Sequence, residues 1–245
     1  TRKSIRIFLL SGWFAATSFI AVCFRFLPEK IAVRAISRVT KIWGAGIARI
    51  IGMKIFINGD IEKVRGFFIV SNHLGYLDII AHSSIFPIRF TPKSDIASWP
   101  LIGWVVALSR PVWIRRESRQ SAGSVLKELA RTLDYGVNMI VYPEGTSSDG
   151  RKGVLQFKSS VFESPIKGNF PVLPILTSYP GQTPEDVCWF GGMTFLPHVW
   201  NVLGMKEISV RVDFLEPVEP KGFPRKELAA KIHSRLNEKL KEILS

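Results

Sequence analysis

Cysteine is scarce in this chain of 245 residues: Cys23 and Cys188 stand far apart, neither at metal-ligand spacing, and a reducing, cytosolic setting is expected. Histidine is nearly as rare, and His82, His198 and His233 show no ligand spacing with His73, so no metal site is expected. The nucleophile elbow G-x-S-x-G is missing, as are internal repeats and low-complexity tracts. Acidic residues are in short supply: 20 Asp and Glu face 33 Lys and Arg, a formal charge of +13 that favours polyanionic partners, either nucleic acid or an anionic membrane surface. What is abundant is apolar: 47% of residues are hydrophobic, enough for a large core.

The N-terminal stretch "IFLLSGWFAATSFIAVCF", Ile7 to Phe24, has no charged residue at all. As a helix it reaches about 27 Å at about 1.5 Å per residue, marginal for a hydrocarbon core of about 30 Å. Arg2, Lys3 and Arg6 flank one end and Arg25 and Lys30 the other, so no positive-inside asymmetry orients a span. Both ends are therefore expected on the cytoplasmic face. Further on, Lys30, Arg34, Arg38, Lys41 and Arg49 fall within an arc of about 100° on a helix, opposite Ile36, Val39, Trp43, Ile47, Ile50 and Ile51. Such a helix suits the bilayer interface, and it also suits packing on the protein's own core. The apolar segment just ahead of it favours the membrane.

After Gly52 strand and helix signals alternate. "MKIFING", "GFFIVSN", "VNMIVYPEG", "PVLPILTSY" and "ISVRVDFLEPVEP" read as strands, Tyr76 to Ile85 and "SVLKELARTLDYG" as helices, and Leu228, Ile232, Leu236, Leu240 and Ile243 line one face of a terminal helix. This order predicts an α/β domain over residues 53–245 with a mostly parallel or mixed sheet flanked by helices, after an N-terminal two-helix membrane-binding segment over residues 1–52.

Sites in such a domain form beyond the carboxyl ends of strands. "GFFIVSNH" brings Asn72 and His73 to one such end, with Asp78 five positions after His73. In one continuous helix the two would point about 140° apart, so they meet only if His73 lies in the loop and Asp78 in the first turn of the next helix. Asp78 would then hold Nδ1 of His73 and leave Nε2 as a general base. Taken alone, the pattern reads as well as a helix start capped by Asn72. A second strand end carries Glu144 in a Pro-Glu-Gly-Thr turn, where Gly145 gives backbone freedom, Thr146 adds a hydroxyl, and the carboxylate suits a hydroxyl or a cation. "WIRR" offers Arg115 and Arg116 for phosphate, one of which can face the site, and Lys158 adds a cation near Glu144.

Together these residues resemble the glycerol-phosphate and lysophosphatidate acyltransferase family. Asn72, His73 and Asp78 match its first motif, and Trp113, Ile114, Arg115 and Arg116 its second. Pro143, Glu144, Gly145 and Thr146 match the third, with Ser147 where Arg is usual, and Pro174 in "FPVLPIL" matches the fourth. The resemblance implies a glycerol-phosphate acyltransferase-like fold. It also implies transfer of a fatty acyl group from acyl-CoA or acyl carrier protein to the free sn-2 hydroxyl of lysophosphatidate, giving phosphatidate in phospholipid biosynthesis, with no cofactor besides the acyl donor. His73 would be the general base, Asp78 would stabilise the imidazolium, and Arg116, helped by Lys158 or Arg151, would hold phosphate. Asn72, Glu144, Gly145 and Thr146 would lie on the acceptor side. Because Ser147 departs from the pattern and "EGTSSDG" looks like the variant of relatives acting on lyso-ornithine lipid, another lysolipid stands as the alternative acceptor. The implied location is the cytoplasmic face of the cell membrane, held by the N-terminal helices.

Two other classes compete. A membrane-bound lipid hydrolase would need a serine nucleophile, and Ser147 follows a Gly-Thr turn without an elbow. A nucleic-acid module would fit the charge, but no zinc, helix-turn-helix or aromatic RNA-binding signature accompanies it, and no nucleic-acid partner is expected.

Overall fold

The computed structural model describes residues 1–60, 64–92, 94–99, 102–113 and 119–244. Its helices are α1 (Arg2–Phe24), α2 (Glu29–Ile51), α3 (Tyr76–Ile85), α4 (Ile102–Leu108), α5 (Arg119–Asp134), α6 (Glu163–Gly168), α7 (Pro184–Val187), α8 (Phe195–Val202) and α9 (Arg225–Leu244). Its strands are β1 (Met53–Asn58), β2 (Phe68–Ser71), β3 (Ile88–Phe90), β4 (Asn138–Val141), β5 (Val172–Ser178) and β6 (Ile208–Phe214). They form one six-stranded sheet in the order β1-β6-β5-β2-β4-β3. Only the β5–β6 pair is antiparallel, so the sheet is mixed, as the strand and helix alternation predicts.

The pleat explains why the central strands read as unbroken apolar runs. Ile69, Ile140, Leu173 and Ile175 enter the core on one face, while Phe68, Val70, Met139, Val141, Val172 and Leu176 enter the core on the other. Helices cover both faces, so both sets are buried. The first core takes Ile47, Ala48 and Ile51 of α2 and Leu77, Ile80 and Ala81 of α3; the second takes Leu129 and Leu133 of α5 and Leu228, Ile232 and Leu236 of α9. Gly136, at φ 71°, ends α5 in the left-handed conformation that spares only glycine a steric cost.

The basic and apolar faces of α2 resolve in favour of packing. Ile36, Val39, Ile47 and Ile51 are buried within the protein, and Gly44 lets α2 come so close to α3 that a Cβ there would meet Ser83 and lie 2.9 Å from the Ser84 backbone nitrogen. The stripe expected to lie against lipid is thus packed inside the fold, which corrects that expectation for these residues, while Ile31 and Ile42 of α2 stay exposed. The basic residues Lys30, Arg34, Arg38 and Arg49 stay exposed.

Helix α1 behaves differently. By length and composition it is the one described helix apolar enough to cross a membrane, and little of it is buried. One flank is fastened along its length: Arg6 Nη1 donates to the Leu203 and Met205 carbonyls (3.1 and 2.6 Å), Trp13 Nε1 to the Trp43 carbonyl (3.0 Å), and the Arg25 guanidinium to the Ala107 carbonyl (3.4 Å). The other flank shows Phe8 and Phe19 to solvent at 79% and 71% exposure. Leu196 and Trp200 of α8 extend the exposed apolar surface at its start, where the Lys3 ammonium lies over the Trp200 ring.

Two glycines should respond in opposite ways. Gly44→Val is expected to lower stability by roughly 1–3 kcal/mol through overpacking at the α2–α3 contact, whereas Gly12→Ala, with open space around it, should leave stability unchanged or raise it. Urea or thermal unfolding of the two variants beside the native chain reads the contrast.

Candidate active site

Strands β2, β4 and β5 lie side by side and end together. The carboxyl end of β2 leads to Asn72 and His73, that of β4 to Tyr142 and Glu144, and that of β5 to Tyr179. Asn72 does not cap a helix: its side chain donates to the Thr177 carbonyl (3.0 Å) and accepts from the Thr177 N–H (2.8 Å), which extends the β2–β5 pairing by one side chain. The helix start falls three residues later, at Gly75, which leaves His73 in the loop and puts Asp78 in the first turn of α3. That is the arrangement the spacing of five requires.

The two side chains converge. Asp78 Oδ2 lies 2.9 Å from His73 Nδ1 and also accepts the N–H groups of Leu74 (2.6 Å) and Gly75 (3.0 Å), while Oδ1 accepts the Tyr179 hydroxyl at 2.7 Å. Asp78 is fully buried. Burial disfavours its charge, but His73 first, then His82 and Tyr179, more than compensate, and its pKa lies below the ordinary carboxylate value. The dyad is therefore an anion held against an imidazole, with Nδ1 committed and Nε2 left for proton transfer. His73 keeps about a fifth of its side-chain surface open, at 21%.

Glu144 stands beside it. Its Oε1 accepts the His73 backbone N–H at 2.9 Å, and its Oε2 is buried without a hydrogen-bond partner among the described residues. Burial is the main reason its pKa rises to about 8, against the pull of the His73 and Leu155 N–H groups and with the help of the Asp78 charge. At neutral pH the carboxyl is largely protonated and can donate as well as accept. Gly145, at φ 72°, makes the turn, and a Cβ there would run into the Lys158 ammonium, which lies against it. Thr146 is exposed at the rim. Ser147 is spent inward, its hydroxyl donating to the Trp189 carbonyl, and the Ser148 N–H donates to the His73 carbonyl at 3.0 Å. Arg151 is drawn away to Glu185 at 2.7 Å and Asp149 at 3.4 Å. Arg115 and Arg116 lie outside the described residues, and Trp113 is half-buried.

Three contributors escaped the sequence reading. Tyr179 looked like the last residue of a strand, Tyr142 like part of a buried one, and His82 like a bystander. His82 is fully buried, with Nδ1 2.9 Å from the Tyr142 hydroxyl and Nε2 2.7 Å from Thr177 Oγ1. The usable signal for His82 was its place four residues after Asp78, on the same face of α3. His198 is likewise a buried histidine, 2.9 Å from the Tyr76 hydroxyl.

Comparison with known proteins gives one consistent result. A family model described as Acyltransferase matches residues 54–178, which is 125 of the 245 residues. The lyso-ornithine lipid O-acyltransferase of Rhizobium meliloti (strain 1021) is 29% identical over 219 residues, 82% of this chain and 74% of that protein. The 1-acyl-sn-glycerol-3-phosphate acyltransferase of Neisseria meningitidis serogroup B is 31% identical over 156 residues, 63% of this chain and 61% of that protein. Among solved structures, the 1-acyl-sn-glycerophosphate acyltransferase PlsC from Thermotoga maritima superposes with a TM-score of 0.68 at 23% identity, covering 99% of this chain and 98% of that one, and so shares its fold.

The Glu144 environment predicts a pH dependence. Its folded pKa, near 8, lies above the ordinary value of 4.5. The stability it supports is therefore present in full below about pH 4.5 and is lost as pH rises through about 8. Glu144→Gln, which keeps the acceptor for the His73 N–H but cannot ionise, should flatten this part of the stability–pH curve; identical slopes in native and variant chains would contradict the assignment.

Proposed function

This chain belongs to the acyltransferase family and is a lysolipid acyltransferase, and from its site we propose that it moves a fatty acyl group from a thioester donor, acyl-CoA or acyl carrier protein, directly to a lysolipid hydroxyl with His73 as general base. The observation that carries this is the His73–Asp78 pair: one imidazole nitrogen held by a buried anion at 2.9 Å, the other left for the substrate. In the reaction, Nε2 takes the hydroxyl proton as the oxygen attacks the thioester carbonyl carbon. The tetrahedral intermediate collapses with loss of the thiolate, which recovers the proton from the imidazolium while Asp78 steadies the positive ring. No acyl-enzyme is needed. Protonated Glu144, with Oε1 on the His73 N–H and a buried Oε2 that has no partner among the described residues, suits a polar group of the acceptor.

For the headgroup, we place lyso-ornithine lipid ahead of lysophosphatidate. Ser147 turns inward in place of a cation, and Asp149 and Glu185 converge on Arg151, so this loop meets a zwitterionic headgroup carrying an ammonium more favourably than a phosphate dianion. The relative named for lyso-ornithine lipid also aligns with more of the chain than the one named for 1-acyl-sn-glycerol-3-phosphate. Lysophosphatidate is the second reading because Lys158 lies against Gly145, and Arg116 occupies the motif position of a phosphate ligand. The membrane surface is the setting in which both the basic charge and the open flank of α1 find partners, on the cytoplasmic side where acyl donors are.

His73→Ala should lower the acyl-transfer rate by roughly 10²–10⁴-fold while the chain stays folded; retention of native activity would remove the general-base role. With labelled acyl donor, lyso-ornithine lipid should be acylated about tenfold or more faster than lysophosphatidate at equal surface concentration, and the opposite order would restore lysophosphatidate as acceptor. Phe8→Asp combined with Phe19→Asp should cut the fraction bound to anionic vesicles in flotation assays, and unchanged binding would show that α1 is not the lipid contact.

A further inference from the structure

The dyad leaves one question of geometry: a hydrogen bond at Nδ1 fixes where His73 points but does not by itself fix the plane of its ring. The side chain lying flat on that ring is Tyr142, with ring centroids 4.2 Å apart and planes within 22° of parallel. We propose that Tyr142 is a positioning residue for the reaction, its ring face setting the plane of the His73 imidazole and stabilising the imidazolium formed when the acceptor loses its proton, while His82 locks the Tyr142 ring from behind. The proposal rests on His73 acting as the general base.

The physical case has two parts. A cation within about 6 Å of an aromatic centroid is attracted by the negative face of the ring, and more strongly where water is excluded. A neutral imidazole gains little from this, so the ring favours the charged form that exists along the reaction path over the resting one. The second part is rigidity. Tyr142 is gripped at its hydroxyl by His82 Nδ1 (2.9 Å), and His82 is held in turn by Thr177 Oγ1 (2.7 Å). The backbone of Thr177 is clamped on both polar groups by Asn72, the residue next to His73. The loop of contacts thus closes on itself through β2, α3, β4 and β5. Burial pushes the His82 pKa down to about 4, so it serves as an uncharged strut and adds no positive charge behind the ring.

Among the described residues, no other group around His73 substitutes for this face. Asp78 meets Nδ1, Glu144 meets the backbone N–H, and Lys158 lies across Gly145. Tyr179 contacts Asp78 rather than the imidazole, and the Cys188 thiol, its pKa raised by burial and then by the Asp78 charge, stays neutral.

The test uses the full chain in detergent with a lysolipid acceptor, comparing Tyr142→Phe, Tyr142→Leu and a series of mono-, di- and trifluorinated phenylalanines at the same position. The readouts are kcat, KM, the pH profile and the titration of His73 by carbon-13 histidine NMR, assigned through His73→Ala. Tyr142→Phe, which keeps the ring face but loses the His82 grip on the hydroxyl, should fall between the native chain and Tyr142→Leu in kcat. Tyr142→Leu should lose about tenfold or more in kcat with KM little changed, and its His73 titration and the acid limb of the rate profile should both move down by about half a pH unit, the size expected for one such contact. The fluorinated rings keep the shape but drain the face, so His73 should titrate lower with each added fluorine, an outcome that a purely structural role would not produce. An unchanged His73 titration across the fluorinated series and in Tyr142→Leu would overturn the proposal. An active His73→Ala would instead sink the general-base reading, and the two failures are read from different experiments.

Discussion

A single buried carboxylate organises this molecule. Asp78 has no exposed surface, and a bare ion in that position would be strongly disfavoured. It is retained because donors converge on it: the His73 imidazole and the Leu74 and Gly75 N–H groups on one oxygen, the Tyr179 hydroxyl on the other. These donors come from the loop after β2 and from the end of β5, with the carboxylate itself in the first turn of α3, where the helix dipole also favours negative charge. Satisfying Asp78 therefore brings two strand ends and a helix start into register, and the same contacts build the site. Structural and chemical demands coincide in one residue.

Around that centre, two carboxyl groups a short distance apart take different states. Asp78 is surrounded by donors and stays ionised; Glu144 has burial, a neighbouring anion and one oxygen without a partner among the described residues, and its pKa rises to about 8. This division of environment gives the site one fixed anion for the histidine and one polar group able to donate to a substrate at neutral pH. The Tyr142 ring lies stacked on the imidazole beside them, with centroids 4.2 Å apart.

The N-terminal helices show how a fold apportions apolar surface. Most of the apolar side of α2 is taken by α3 and the sheet, and its surface carries the basic residues together with Ile31 and Ile42. Helix α1 is pinned on one flank by side-chain bonds to α2, to the loop after α8 and to the end of α4, and it leaves Phe8 and Phe19 uncovered on the other. An apolar flank thus runs uncovered along α1 beside the catalytic domain.

Much of this was legible in the chain alone. Unbroken apolar runs ended by turn residues located β2, β4 and β5, because the sheet is covered on both faces there, whereas β1 and β6, toward one edge, mix polar with apolar residues and are only partly buried. Tyr76 to Ile85 was readable as α3, and five residues between His73 and Asp78 required the loop-to-helix placement that is found. The three-residue β3 is too short to leave a pattern, and α8 carries Pro197 in its first turn, where a helix tolerates it but a sequence reading sees a breaker. Whether α2 faced lipid or core was undecided by periodicity, since either partner selects the same apolar stripe; only the close approach at Gly44 settled it. The roles of Tyr142, Tyr179 and His82 also needed the tertiary structure. Local sequence fixes which residues lie at the end of a strand or on one side of a helix, whereas the order of strands in the sheet decides which of those ends become neighbours.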